Sequence, residues 1–438
     1  VVVGYGSQKK SDLTGGVVAI TQEKLSLVTT NNLMDRLAGQ IPGLNITTGN
    51  ATPGTDQSIR VRGVNSLSAS NDPLIVLDGI PYSGSLGDIN PDLIESMSVL
   101  KDASAAAIYG SRGANGVILI QTKQGKLGKA SVQYKGQVGY SEPERRLNMM
   151  KGEEYLSYLR DMFHQVNGLD YSELTPESML GADEYANYLA GRETDWQDVI
   201  FQKGFQTSHE LNISGGTEST TYLASVAHSR NEGVMKNTGV NRTNVALNMT
   251  QSLGTWLKIG VNMQAAEKNI LGPGASLESG LKLSPYASPY KEDGTINYYP
   301  MQRNTLYSNP LSNLNADYDR KFRNVFISSF ADIKLPLDGL SFRTNFGYNY
   351  RTSFTGSYYG RNTLSGSTTG GSASIYNRHY WDYTWENVLK YIKVFGDHKI
   401  DATALFSMQQ TNDQSATESA ESFMSDEYSY NNIAAGEK

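Results

Sequence analysis

Five histidines are the first residues to examine for chemistry: His164, His209, His228, His379 and His398. Their spacing makes no His-Glu-x-x-His and no other metal-binding pattern. Cysteine is absent from all 438 residues, which removes thiol nucleophiles, disulfides and cysteine-bearing zinc sites. The carboxylate pair Glu153-Glu154 sits in "GEEYLSYLRDMF", whose pattern predicts a solvated helix. Glycoside hydrolysis needs two carboxyls facing each other across a cleft. The glycine-rich "GSRGANG", Gly110 to Gly116, precedes a strand and lacks the lysine and hydroxyl of a phosphate loop. It reads as a tight turn. The expectation is therefore no enzyme, no metal and no cofactor. More telling are Arg60 and Arg62 in "IRVRG", on a half-buried strand beside the apolar run Leu74-Ile75-Val76-Leu77. Two arginines so placed need somewhere polar to point.

The elements around them form a small α+β unit over the first 125 residues or so. Asn31-Asn32 predicts a helix cap over Leu33 to Ala38, ended by Gly39. "IPGLNIT", "IRVRG", "PLIVLD", "SMSVLKD" and "GVILIQTK" read as strands. Asn90 and Pro91 predict a helix start over "PDLIESM". A short helix over Ser104 to Tyr109 is stopped by Gly110.

After "QGKLGKA" the texture changes to a one-sided dyad. Val132, Tyr134, Gly136, Val138 and Tyr140 share one face of a strand, and Leu257, Ile259, Val261 and Met263 another. The same rhythm returns in "NVALNMT", "NVFISSFADIKL", "LSFRTNFGYNYR" and "KIDATALFSM". Each stretch is about ten residues, enough to cross a bilayer when tilted. No run of apolar residues is long enough for a transmembrane helix. Short turns at "GGTES", "QSLGT", "PLDG" and "FGDHK" alternate with long segments at 142–206, 229–242, 267–323 and 352–378. Long connections gathered at one end are the habit of an outer-membrane barrel. Trp256, Trp381, Trp385, Tyr348 and Tyr350 fit its interfacial girdles. About nine strands are present, whereas single-chain bacterial barrels use even numbers. The stretch after Thr411 reads as one more external loop, and the whole as the N-terminal part of a larger protein. Net charge is −6, against nucleic acid as a partner.

The phrases "VVVGYGSQKKSDLTGGVVAIT", "LAGQIPGLNI", "IRVRGVNSL", "DPLIVLDGIPY" and "IESMSVLKDASAAAIYGSRGANGVILIQTKQGK" occur in this order. Together they resemble the plug domain of the SusC/RagA family of TonB-dependent outer-membrane transporters. The resemblance implies a transmembrane β-barrel of about 22 antiparallel strands when complete, with roughly the first nine here. A small α+β plug would sit in the lumen. The implied division is residues 1–7 as the end of the TonB-box region, 8–126 as plug and 127–438 as the N-terminal part of the barrel. Val1, Val2 and Val3 would belong to the TonB box, which adds as a strand to TonB; ExbB and ExbD would supply the energy coupling. Arg60 and Arg62 would make polar contacts with the lumen or a salt bridge within the plug. Two plug loops would face the substrate: "NSLSASND" with Asn65, Ser66, Ser68, Ser70, Asn71 and Asp72, and "YSGSLGDIN" with Tyr82, Ser83, Ser85 and Asp88.

The implied function is import of oligosaccharides or oligopeptides across the outer membrane of a Bacteroidota cell, embedded in outer-membrane lipid. A SusD-like surface lipoprotein would act as lid. Tyr286, Tyr290, Tyr298, Tyr299 and Tyr307 in the large external loop would either stack on such ligands or pack the loop. Two other readings compete: a siderophore- or cobalamin-type TonB-dependent receptor, and a soluble envelope glycan-binding β protein. The plug phrases weigh against the first and the loop rhythm against the second.

Overall fold

The computed structural model describes residues 2–3, 6–7, 17–47, 52–55, 57–61, 63, 66, 70–102, 107–396 and 398–437. Two short strands, β1 (Val2–Val3) and β2 (Gly6–Ser7), pair antiparallel at the start. The α+β unit follows. Its strands are β3 (Val17–Thr21), β4 (Leu44–Thr47), β5 (Ser58–Val61), β6 (Leu74–Leu77), β7 (Ile80–Pro81), β8 (Ile94–Leu100) and β9 (Val117–Thr122). Five of them form a sheet in the order β3-β8-β9-β6-β7, with β6 and β9 parallel; β4 and β5 pair separately.

The apolar run of β6 is buried on both sides, as continuous hydrophobic strands are. Leu77 joins one core with Leu33, Leu37, Met97, Ile118 and Ile120, while Val76 joins another with Leu100, Val117 and Leu119. Arg60 is exposed between buried Ile59 and Val61, so β5 keeps its predicted alternation. Asn32 caps the helix Leu33–Leu37 through a bond accepted from Met34 N. The predicted helix over "PDLIESM" shrinks to one 3-10 turn, Pro91–Leu93, because β8 begins at Ile94 and pairs with β9. Sheet pairing overrides the local cap signal there.

Beyond this unit, nine strands among the described residues form one antiparallel sheet in strict chain order. They are β10 (Gly128–Ser141), β11 (Gly204–Gly216), β12 (Thr220–Glu232), β13 (Gly239–Leu253), β14 (Leu257–Leu271), β15 (Asp317–Lys334), β16 (Leu340–Tyr359), β17 (Ser372–Phe395) and β18 (His398–Glu421). This is an arc of transmembrane β-barrel, and the α+β unit packs on its concave, lumenal face as a plug. Parity sorts the side chains. On β13, Arg242, Asn244, Ala246 and Asn248 point inward, while Val245, Leu247 and Met249 are exposed on the outer face. The outer face continues through Val132, Tyr134, Val138, Leu211, Ile213, Val226, Ile259, Val261, Phe346 and Trp385, an apolar band fit for hydrocarbon.

Four connections at one end, 217–219, 254–256, 335–339 and the one between Phe395 and His398, are short. The strands themselves run longer than predicted, up to 24 residues in β17 and β18, against about 9–11 needed to span a bilayer. The excess lies at the other end. Segments 229–242 and 352–378 are therefore mostly strand, joined by connections of 233–238 and 360–371, and residues 411–421 continue β18 instead of forming a loop. Their polar residues conceal the ladder because the paired backbone there meets water on both sides. The two large external segments, 142–203 and 272–316, pack on each other: the helix Gly152–Asn167 buries Leu156 and Leu159 against Tyr286. Tyr286 thus packs the loop, whereas Tyr290 and Tyr299 are exposed.

The outer band carries a first prediction. Leu247→Arg, at the middle of β13, should cost about 2–4 kcal/mol of folding stability in a bilayer, read by urea unfolding in lipid vesicles. Leu247→Ile should stay near wild type.

Candidate functional site

The candidate site is the seam between plug and wall, with the spaces beside it. Asp92 is one anchor. It lies in the 3-10 turn capped by Asn90, whose Oδ1 accepts from Asp92 N at 3.0 Å while its Nδ2 donates to Glu210 Oε2 of β11 at 3.2 Å. Asp92 accepts from Arg36 Nη1 within the plug at 2.8 Å and from Lys135 Nζ on β10 at 2.5 Å. Arg36 is buried, and its Nε donates to Thr30 O at 2.6 Å, so the cation is not left without acceptors. Burial pushes the Asp92 carboxyl up, but the bonds from Arg36 and Lys135 outweigh it and hold it below the usual carboxylate range.

A second anchor is the turn between β6 and β7. Asp78 and Gly79 both have positive φ, the backbone of a tight two-residue hairpin. The Asp78 carboxylate accepts from Thr122 N at 2.8 Å and Thr122 Oγ1 at 2.7 Å, and Asn262 of β14 adds a bond at 3.3 Å. Burial raises the Asp78 carboxyl despite the two Thr122 bonds.

The loop 82–88 makes the third and broadest contact. Tyr82 is buried; its hydroxyl accepts from Asn324 Nδ2 at 2.5 Å and its ring meets that of Phe326 edge to face, the centroids 5.4 Å apart. Phe326 belongs to β15 yet joins the plug core. Ser83 Oγ donates to Asp382 on β17, which also accepts from Asn349 Nδ2 at 2.9 Å. Asn244 donates to the Asp88 carbonyl at 2.6 Å, Arg242 to the carbonyls of Gly87 and Asn31, and Lys268 Nζ lies 3.8 Å from Asp88 Oδ1. Two glycines permit this closeness. A Cβ on Gly84 would overlap Asn324 and Tyr82, and one on Gly347 would overlap Ile80.

Of the spaces that open beside this loop, two lie along β16 and β17. One, of about 440 Å³, is bordered by Asp72, Tyr82, Ser83 and Ser85 together with Arg112, Arg351, Asp382 and Gln409. The other, of about 160 Å³, is bordered by Ser85, Asp88, Lys268, Arg351 and Tyr380. Of the residues predicted to face substrate, the structure gathers Asp72, Tyr82, Ser83, Ser85 and Asp88. Ser66, Ser70 and Asn71 instead shape their own loop: Asn71 bonds both Ser66 N and Ser66 O, and Ser70 Oγ donates to Asp72. Asn65, Ser68, Arg62 and Val1 lie outside the described residues. Val2 and Val3 are paired in β1.

The histidines keep to local contacts. His209 bonds Tyr134 at 2.8 Å, His228 bonds Thr243 at 2.9 Å, and His164 bonds the Leu169 carbonyl at 2.7 Å.

Comparison with known proteins agrees with this architecture. Residues 9–117 match the TonB-dependent Receptor Plug Domain. TonB-dependent receptor SusC of Bacteroides thetaiotaomicron is 32% identical over 92% of this chain and 41% of its own. TonB-dependent receptor P3 of Formosa agariphila is 30% identical over 100% and 42%. The RagAB peptide importer in its open-open state superposes with a TM-score of 0.84 at 27% identity, covering 100% of this chain and 52% of that one. The chain belongs to the SusC/RagA family of TonB-dependent receptors. It spans about two fifths of the length of the two curated relatives.

For a SusC/RagA plug, the wall partners matter as much as the loops, and sequence reasoning missed them. Arg242, Asn244, Asn262, Lys268, Asn324, Asn349, Arg351 and Asp382 all sit on inward positions of the dyad. The available signal was parity: polar residues at every second position of strands whose other face is apolar. Asp92 yields the second prediction. Because its carboxyl titrates lower in the folded state, its contribution is complete above the ordinary aspartate value. It is lost as pH falls through the depressed one. Thermal melting of the plug across acid pH should show this loss in the wild type, and Asp92→Asn should flatten it.

Proposed function

We propose that the chain is the plug and first barrel portion of a TonB-dependent importer of oligosaccharides or oligopeptides in a bacterial outer membrane. In this reading residues 8–126 are the plug, 127–438 begin a barrel of about 22 strands, and a SusD-like lipoprotein covers the outer mouth. The observation that carries it is the seam itself. The plug is held to the lumen by hydrogen bonds and a few ion pairs, including Asn90–Glu210, Asp92–Lys135 and Tyr82–Asn324. Water can replace such bonds one at a time, whereas a continuous apolar interface would have to be exposed as a whole. A plug seated in this way closes the pore at rest and yields to a pull from one end.

Val1 to Val3 supply the handle in this proposal. TonB, energised by ExbB and ExbD, adds a strand alongside them and draws on the plug. The polar spaces beside loop 82–88 then receive the ligand. RagAB is a peptide importer, which supports peptides as one ligand class; oligosaccharides are the other class that the resemblance of the plug phrases implies.

The test is energised uptake by cells carrying the full-length protein. Val2→Pro with Val3→Pro removes strand N–H donors and bars strand addition. Uptake of labelled oligosaccharide or peptide mixtures should fall to the protonophore-treated background while surface binding stays. Unchanged uptake in the double variant would refute the handle.

A further inference from the structure

We infer that the ligand carried past loop 82–88 bears a carboxylate, and that Arg351 is the residue that takes it. The inference rests on the import reading above and narrows its substrate class. Arg351 points inward from β16 and borders two of the spaces beside the loop, both of which also include Ser85.

The other cations bordering these spaces or lying near them are already engaged. Arg378 makes a two-point ion pair with Asp413, at 2.8 and 2.5 Å. Arg323 pairs with Glu267 at 2.6 Å, and Lys268 lies 3.8 Å from Asp88. Arg242 spends its guanidinium on two plug carbonyls, and Arg112 donates to Gln409. Arg351 alone of these makes no ion pair or hydrogen bond among the described residues. Its Nε is buried without an acceptor. Asp382, one diagonal away on the neighbouring strand, is occupied by Ser83 and Asn349.

The guanidinium is nevertheless held in place. Its carbon lies 4.0 Å from the centroid of the Tyr380 ring, stacked on the next strand. A guanidinium fixed on one face by an aromatic ring leaves its edge free, and that edge matches the two oxygens of a carboxylate. A buried N–H without an acceptor costs free energy until something supplies one. Ser353, at the next inward position of β16, borders the smaller space and offers a hydroxyl to the neutral part of a sugar or peptide. Two sources carry the required group: the uronic acid of an acidic oligosaccharide, or the C-terminus of a peptide.

The experiment offers two matched pairs to cells carrying the full-length transporter. One pair is a uronate trisaccharide and its carboxyl-reduced neutral counterpart; the other is a pentapeptide and its C-terminal amide. Protonophore-sensitive uptake of each is measured at limiting concentration. The acidic member of at least one pair should enter about tenfold faster or more, the scale of one charge-assisted hydrogen-bonded pair. That pair identifies the source of the carboxylate. In Arg351→Gln the acidic-to-neutral ratio should fall to about one, and Arg351→Lys should restore part of it. Surface biotinylation and heat-modifiable migration establish that each variant is a folded barrel. Equal uptake within both pairs by the wild type overturns the inference and leaves the import reading standing. So does a preference that survives in Arg351→Gln. Energised uptake of none of the four compounds refutes the import reading for these classes and the inference with it.

Discussion

Peptide groups in hydrocarbon have no water to bond, so a strand wall in a membrane must satisfy every N–H and C=O through its neighbours. The nine-strand ladder does this with nearly unbroken register, its one recorded shift lying at the β10–β11 start. Unbroken register fixes the parity of every side chain. Odd and even positions then face two different solvents. Outside are the apolar rows such as Val245, Leu247 and Met249; inside are Asn244, Asn248, Asn262, Asn324, Asn345 and Asn349, all buried.

That inner row explains why the plug fits as it does. An asparagine lining a lumen is content in water, but under a plug it needs a partner. The plug provides the Asp88 carbonyl to Asn244, the Tyr82 hydroxyl to Asn324 and the Asp78 carboxylate to Asn262. Apolar contacts also cross the seam, through Phe326 in the plug core and Ile80 over Gly347. They position the plug, while the polar contacts set how readily water can take its place. Among the cations of this wall Arg351 is left over, its Nε without an acceptor, while Asn324 Oδ1 and Asn349 Oδ1 beside it are left without a donor.

Much of this was legible in the sequence. The dyad of "WLKIGVNMQ" and "LSFRTNFGYNYR" carried strand number and facing, and the phrases around "DPLIVLDGIPY" carried the plug. What escaped were strand lengths and pairings. "QQTNDQSATESAE" looks like loop because its residues are polar or small at both parities, although the ladder with β17 runs through it. "PDLIESM" looks like helix because Asn90 and Pro91 do cap a turn, while pairing with β9 claims the rest. The site was half visible. Loop 82–88 stood out through its small polar residues, yet Asn324, Arg351 and Asp382 lie roughly 240 to 300 positions away in sequence, joined to it only by closure of the wall.

The account depends on a plug that must leave this seam for transport to occur. These 438 residues contain no cysteine, so none of them competes with an introduced thiol pair. Ser83→Cys with Asp382→Cys, joined by a short thiol-cleavable crosslinker in the full-length protein, would pin loop 82–88 to β17. Energised uptake should stop on crosslinking and return when the linker is cleaved, each measured against the double variant before crosslinking. Uptake that continues with the pair fully joined would contradict the account.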